Sequence, residues 1–245
     1  MQTRDGRLEY TVRVSARARR VRLTVSAANG LVVVVPKGFD ERNVPAVIAQ
    51  HAEWAERMLA RNAERRSHLS AHENGPLPRR VDLPGIGLSW EVVLRPSAGS
   101  GVRGRVTGDS VVLTGETGDH AACYQALRRA VARAARERLP LMLGGVETET
   151  GWQASGVTVR RQRTRWGSCT TKRAISLNES LVFLPPQLVR YVLVHELAHT
   201  KRMDHSPAFW AHVERHDAAW KAQRRALREA WRFVPGWADP SVSSG

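Results

Sequence analysis

The chain has 245 residues, 42% apolar and 25% charged, the balance of a soluble globular protein long enough to build a real core. The longest aliphatic run, Leu31 to Val35, is far short of the ~20 residues of a membrane span. The polar start, Met1-Gln2-Thr3-Arg4-Asp5-Gly6, shows no signal peptide, so a cytoplasmic protein without a membrane partner is expected. Cys123 and Cys169 exclude a disulfide framework and a CxxC pair. The net charge of +15, carried by arginine apart from Lys37, Lys172, Lys201 and Lys221, points to an acidic substrate, product or partner and leaves room for work near nucleic acid.

Tyr10 to Val14 and Val21 to Val25 alternate apolar and polar residues with the period of half-buried strands. Asn29-Gly30 is a turn signal before a third strand, Leu31 to Val35, closed by Pro36. From residue 40 to 61 the period becomes helical, with Val44, Val47, Ile48, Trp54, Ala55 and Met58 as a core-facing stripe. The polar stretch from Arg61 to Arg80 reads as a loop or linker. Strands are expected around Leu88 to Leu94, Gly104 to Thr107 and Val111 to Leu113. A second helix runs from about Asp119 to Leu143, ending before Gly144-Gly145, and no internal repeat is apparent. Val157 to Arg160 and Ala174 to Asn178, with a turn-rich segment between them, suggest a β-hairpin. Pro185-Pro186 then opens a helix, where proline is tolerated.

That helix carries HExxH, His195-Glu196-Leu197-Ala198-His199. At about 100° per residue the two histidines fall ~40° apart on neighbouring turns, so both imidazoles reach one cation. Glu196 lies beside them, placed to hold a water rather than to ligate. His205 follows just past the helix end, before an N-cap-like Ser206-Pro207. A chain turning back there brings His205 to the third protein position. Glu214 is the second choice for that position, with His212, His216 and Asp217 as further rivals. Three neutral imidazoles on zinc leave a fourth site for water, and Glu196 is the natural general base. A second electrophile for the oxyanion is to be sought among His212, His216, Tyr191 and Arg165. A purely structural zinc is disfavoured, since such sites are closed and rich in cysteine.

Arg165-Trp166-Gly167-Ser168-Cys169, Ile175-Ser176-Leu177-Asn178, Tyr191 to His199 and Asp204 to Trp210 together resemble the YgjP-like metal-dependent hydrolases, relatives of the SprT and WLM zinc proteases. The early strands and Trp54 also look like that family's N-terminal part, and Asp204 stands where its members usually carry asparagine. The resemblance implies a zincin-like catalytic section with His195, His199 and His205 as ligands of one Zn2+ and Glu196 as base. It also implies that the hairpin from Arg165 to Asn178 borders the cleft, where Arg165, Trp166 and Asn178 either face substrate or, for Trp166 and Asn178, fix the hairpin. The expected fold is α+β: a β-rich section with a helix over 1–117, a catalytic section over 118–238 and a flexible tail over 239–245. A peptide or protein is the expected substrate, and a nucleotide or phosphoester is the alternative.

Overall fold

A computed structural model describes residues 2–5, 8–26, 30–60 and 76–240. Most of the expected 61–80 linker, Asn29 of the expected turn and the tail from residue 241 lie outside the described residues. The chain divides into two compact units, Met1–Ala71 and His72–Gly245.

In the first unit the alternating segments form a four-stranded sheet of β1 (Gln2–Asp5), β2 (Leu8–Ser15), β3 (Arg22–Ser26) and β4 (Gly30–Pro36), in the order β1-β2-β4-β3. β4 runs parallel to β2 and antiparallel to β3. One face carries Leu8, Tyr10, Leu31, Val33 and Val35, which pack with Val44, Ile48 and Ala55 into a small core. The helical stripe is broken: α1 (Val44–Gln50) ends at His51, and α2 covers 52–60. The break changes the helix phase, so Ala55 is buried whereas Trp54 is 38% exposed rather than core.

The second unit begins with another four-stranded sheet: β5 (Arg80–Leu83), β6 (Leu88–Pro96), β7 (Val102–Thr107) and β8 (Ser110–Gly115), ordered β5-β6-β8-β7. Its pairing is that of the first sheet, antiparallel, parallel and antiparallel in the same places. The residues match register for register. Tyr10↔Leu31 corresponds to Val92↔Val111, and Arg13↔Val34↔Arg22 corresponds to Arg95↔Thr114↔Arg103. An internal repeat is therefore present at the level of topology, although the expectation from sequence was none. Strand pairing is set by which face is apolar, and that constraint is met by many different side chains, so the two copies share few residues.

α3 (His120–Thr150) is the spine of this unit. It runs through Pro140 and Gly144-Gly145 to end at Thr150, capped by Gly151 and seven residues past its expected limit, because Leu139, Leu143 and Val146 continue its buried face. The β5–β8 sheet packs on α3, so it shares a core with the later elements. The expected boundary at 117 thus differs from the division at 71/72. A three-stranded sheet follows: β9 (Gly156–Arg160), β10 (Gly167–Cys169) and β11 (Ala174–Asn178), ordered β10-β11-β9. The hairpin is β10–β11, and β9 joins β11 in parallel rather than forming the expected hairpin with it. The chain closes with α4 (Pro186–Ala198), α5 (Pro207–His216) and α6 (Trp220–Leu227). No helix among the described residues is long and apolar enough to cross a membrane.

Candidate metal centre

α4 starts at the expected Pro185-Pro186 and is buried on nearly every side, by Leu188, Val189, Tyr191, Val192, Leu193, Val194, Leu197 and Ala198. A helix apolar all round is held by its neighbours rather than by solvent, which makes its C-terminal end a rigid mount. His195 occupies the last turn and His199 is the C-cap. The chain then reverses, with Lys201 and Arg202 donating their backbone N–H groups to the Ala198 carbonyl. Asp204 shapes the next turn by accepting the Ser206 backbone N–H at 3.2 Å, a role asparagine would fill equally. That turn returns His205 to α4, and its Nε2 lies 3.2 Å from Nε2 of His195.

His195, His199 and His205 thus present three ligand atoms within 4.8 Å of one another. Glu214 is exposed on α5 and does not join this group. The donor set fits a zinc-like cation. Two nitrogens each ~2.0–2.1 Å from a tetrahedral ion are about 3.3 Å apart, close to the observed separation. His199 directs its Nδ1 to the Arg202 carbonyl at 3.0 Å, which leaves Nε2 free and fixes the ring orientation. Burial, reinforced by His199, His205 and Arg224, pushes the His195 pKa down to about 3, and burial also lowers that of His199. Both rings are therefore neutral at neutral pH, the form that binds metal. Phe209 from α5, fully buried, lies 4.5–5.0 Å from all three imidazole centroids and closes the inner side of the cluster.

Glu196 is 6% exposed. Burial drives its carboxyl up to about 8, against a smaller opposing pull from Arg165. Its side chain lies directly over Gly167 of β10: a Cβ added there would meet Cγ and Oε1 of Glu196 at 2.7 Å. The absence of a side chain at Gly167 is thus what lets the edge strand approach the carboxylate. The order β10-β11-β9 leaves one side of β10 without a strand neighbour among the described residues.

The other expected site residues divide. Arg165 is exposed and its charge is felt by Glu196. Trp166 is buried and stacks on Trp231 at 4.2 Å. Asn178 is fully buried, donating from Nδ2 to the Gln162 and Arg165 carbonyls and accepting the Ser180 N–H. These two side chains secure the loop that carries Arg165. His212 and His216 pack edge-on against Trp152, whereas the buried Tyr191 ring lies 5.8 Å from His195. Burial raises the Tyr191 hydroxyl to about 12.

One residue near the centre had no distinguishing signal in the sequence. Arg224 of α6 holds its guanidinium 4.6 Å from the centroid of Trp210. Trp210 stacks on Trp220 at 4.3 Å and lies 5.6–5.7 Å from the rings of His205 and His195. Arg224 looks in sequence like any of the arginines around it. Only the packing of α6 on α4 places its charge close enough to depress His195.

Against this geometry, a model of the YgjP-like metallopeptidase domain matches residues 19–230. The chain belongs to the YgjP-like family. The match spans most of both units and contains the histidine cluster, Glu196 and the β10–β11 hairpin. Membership makes this chain one of a family of metal-dependent peptidases. No curated protein and no solved structure matches it.

Proposed function

We propose that this protein is a zinc-dependent peptidase that hydrolyses peptide bonds with Glu196 as its general base. The observation that carries the reading is the convergence of three imidazoles on one point beside a buried carboxyl that the neighbouring edge strand approaches through Gly167. His195, His199 and His205 would hold the ion. Zinc supplies Lewis acidity there, making a water acidic near neutral pH and polarising the scissile carbonyl.

The chain's own groups supply the rest. Burial raises the Glu196 carboxyl to about 8 in the metal-free chain, and a cation held beside it would favour the carboxylate, the form that takes a proton from the attacking water and returns it to the departing amine. Phe209 keeps water from the inner side of the cluster. The outer edge of β10 offers backbone groups to an extended peptide, which would be laid across Glu196 as an added strand. Arg165, whose charge reaches Glu196, and Arg224, whose charge reaches His195, are the candidates for offsetting a developing oxyanion.

The test is cleavage of an unstructured protein by zinc-supplemented wild type and Glu196→Gln, beside a panel of nucleoside triphosphates. Proteolysis that falls ~10²–10⁴-fold in the variant is the expected result. Release of phosphate or pyrophosphate, again lost in the variant and without proteolysis, would replace this reading with a nucleotide hydrolase.

A further inference from the structure

Of the two matching sheets, the first bears a concentration of positive charge that the second lacks. Five arginines fall between positions 13 and 22: Arg13, Arg17, Arg19, Arg20 and Arg22. All five are exposed, and none has a hydrogen-bond or ion-pair partner among the described residues. Arg13 and Arg22 both pair with Val34 of β4, on either side of it. Directly paired residues point to the same side of a sheet, so both arginines stand on the face opposite the Tyr10–Leu31–Val33 core. Strands are spaced ~4.8 Å apart, which sets the two backbones roughly 10 Å apart with a shared valine between. Glu9 lies on the same face of β2, four residues back from Arg13.

The second sheet is a control within the same molecule. Arg95 and Arg103 flank Thr114 in the same register, so the arginine pair occurs in both copies. The connection beside it differs. In the first copy it reads Ser15-Ala16-Arg17-Ala18-Arg19-Arg20, and in the second Ser97-Ala98-Gly99-Ser100-Gly101. Closing this turn therefore requires no arginine. Three guanidinium groups beside a like-charged pair repel one another and have no partner to offset it, so they contribute nothing evident to folding.

We propose that the open face of the first sheet, with its Ser15–Arg20 connection, is a docking surface for the phosphate backbone of nucleic acid. The chemistry of the surface favours that occupant. Between the arginines the connection itself holds only Ser15, Ala16 and Ala18, flanked by an exposed Val14 and a half-buried Val21, so it offers neither carboxylate nor aromatic partners and its chemistry is that of the guanidinium groups. There is also no aromatic or large apolar group in the connection to enter a lipid interface. What remains is a set of exposed guanidinium groups, a group whose planar fork can hold a phosphate in bidentate geometry. Contacts of that kind hold the backbone without reading sequence. The surface belongs to the first unit and the histidine cluster to the second, and its occupancy does not depend on the peptidase reading.

The experiment is fluorescence anisotropy of a labelled mixed-sequence DNA duplex of about 20 base pairs, titrated with the full chain over a range of salt. Wild type is compared with Arg17→Ala, Arg19→Ala and Arg20→Ala combined, and with Ser97→Ala and Ser100→Ala combined at the equivalent, exposed connection. Circular dichroism establishes that each variant is folded. Each phosphate contact adds about 0.9 to the slope of log affinity against log salt. The triple variant should bind at least tenfold more weakly at low salt, with a slope smaller by about 2–3, and the control variant should match wild type. Equal binding and equal slope in the triple variant would overturn the proposal. So would binding to poly-glutamate or to anionic lipid vesicles that exceeds binding to the duplex.

Discussion

Glu196, the proposed base, is held in a site whose burial has a measurable cost. Its carboxyl ordinarily titrates at 4.5, and burial lifts it to about 8. In metal-free protein the folded state therefore keeps a proton that the unfolded state releases over that interval. The unfolded chain binds fewer protons between these values, so stability falls as pH rises through the window. Glutamine has the shape of the protonated acid and does not ionise. Metal-free Glu196→Gln should accordingly melt close to wild type at pH 4.5 and several degrees above it at pH 8, as thermal denaturation by circular dichroism will read. Equal differences at both values would mean that the carboxyl is not held in a desolvated site. Arg224 makes a different prediction. If its charge meets the oxyanion, Arg224→Ala lowers kcat by about tenfold or more with little change in KM, whereas loss of packing alone would reduce melting temperature and leave kcat intact. The His195, Glu196 and His199 arrangement was legible because helical spacing alone brings these side chains together. Arg224 was not, since nothing in a run of arginines tells which one a helix will turn inward.

At the scale of elements, the sequence pattern was most readable where burial imposes a period. β2, β3, β4, β6, β7, β8 and α4 lie where apolar alternation or a proline start put them. It was least readable where tertiary packing overrides local preference. α3 passes through Gly144-Gly145 because its buried face continues to Val146, a contact that the glycines themselves do not reveal. The hairpin was assigned to the wrong strand because β10 is only three residues long, too short to show alternation. Trp166 and Asn178 illustrate the same limit: a motif marks a position without saying whether its side chain faces a ligand or the core. The turn between β5 and β6 gives a test at this scale. Gly85 is seated against the Leu181 and Leu184 carbonyls and 2.9 Å, as a Cβ would be placed, from the Val189 side chain of α4. Gly85→Ala must push rigid backbone aside. It should cost about 1–3 kcal/mol, measured by denaturant titration, and unchanged stability would show that the turn is free to move.

For the molecule as a whole, the second unit is one continuous structure in which α3 joins a β-sheet to the elements that carry the histidine cluster through a single core. The fold class was evident from the change of period along the chain, but the division between units was not. The β5–β8 strands have the same local character as β1–β4 and gave no sign that they belong with the sequence after them. The repeated sheet escaped detection for the related reason that topology is conserved by patterning rather than by identity. His195, His199 and His205 are proposed to form one metal site beside a base that does not ligate. Metal content of the purified protein by mass spectrometry tests it most directly. About one zinc per chain in wild type and in Glu196→Gln, and a large loss in His195→Ala, His199→Ala and His205→Ala, is the predicted result. Full zinc content in the three histidine variants would contradict it.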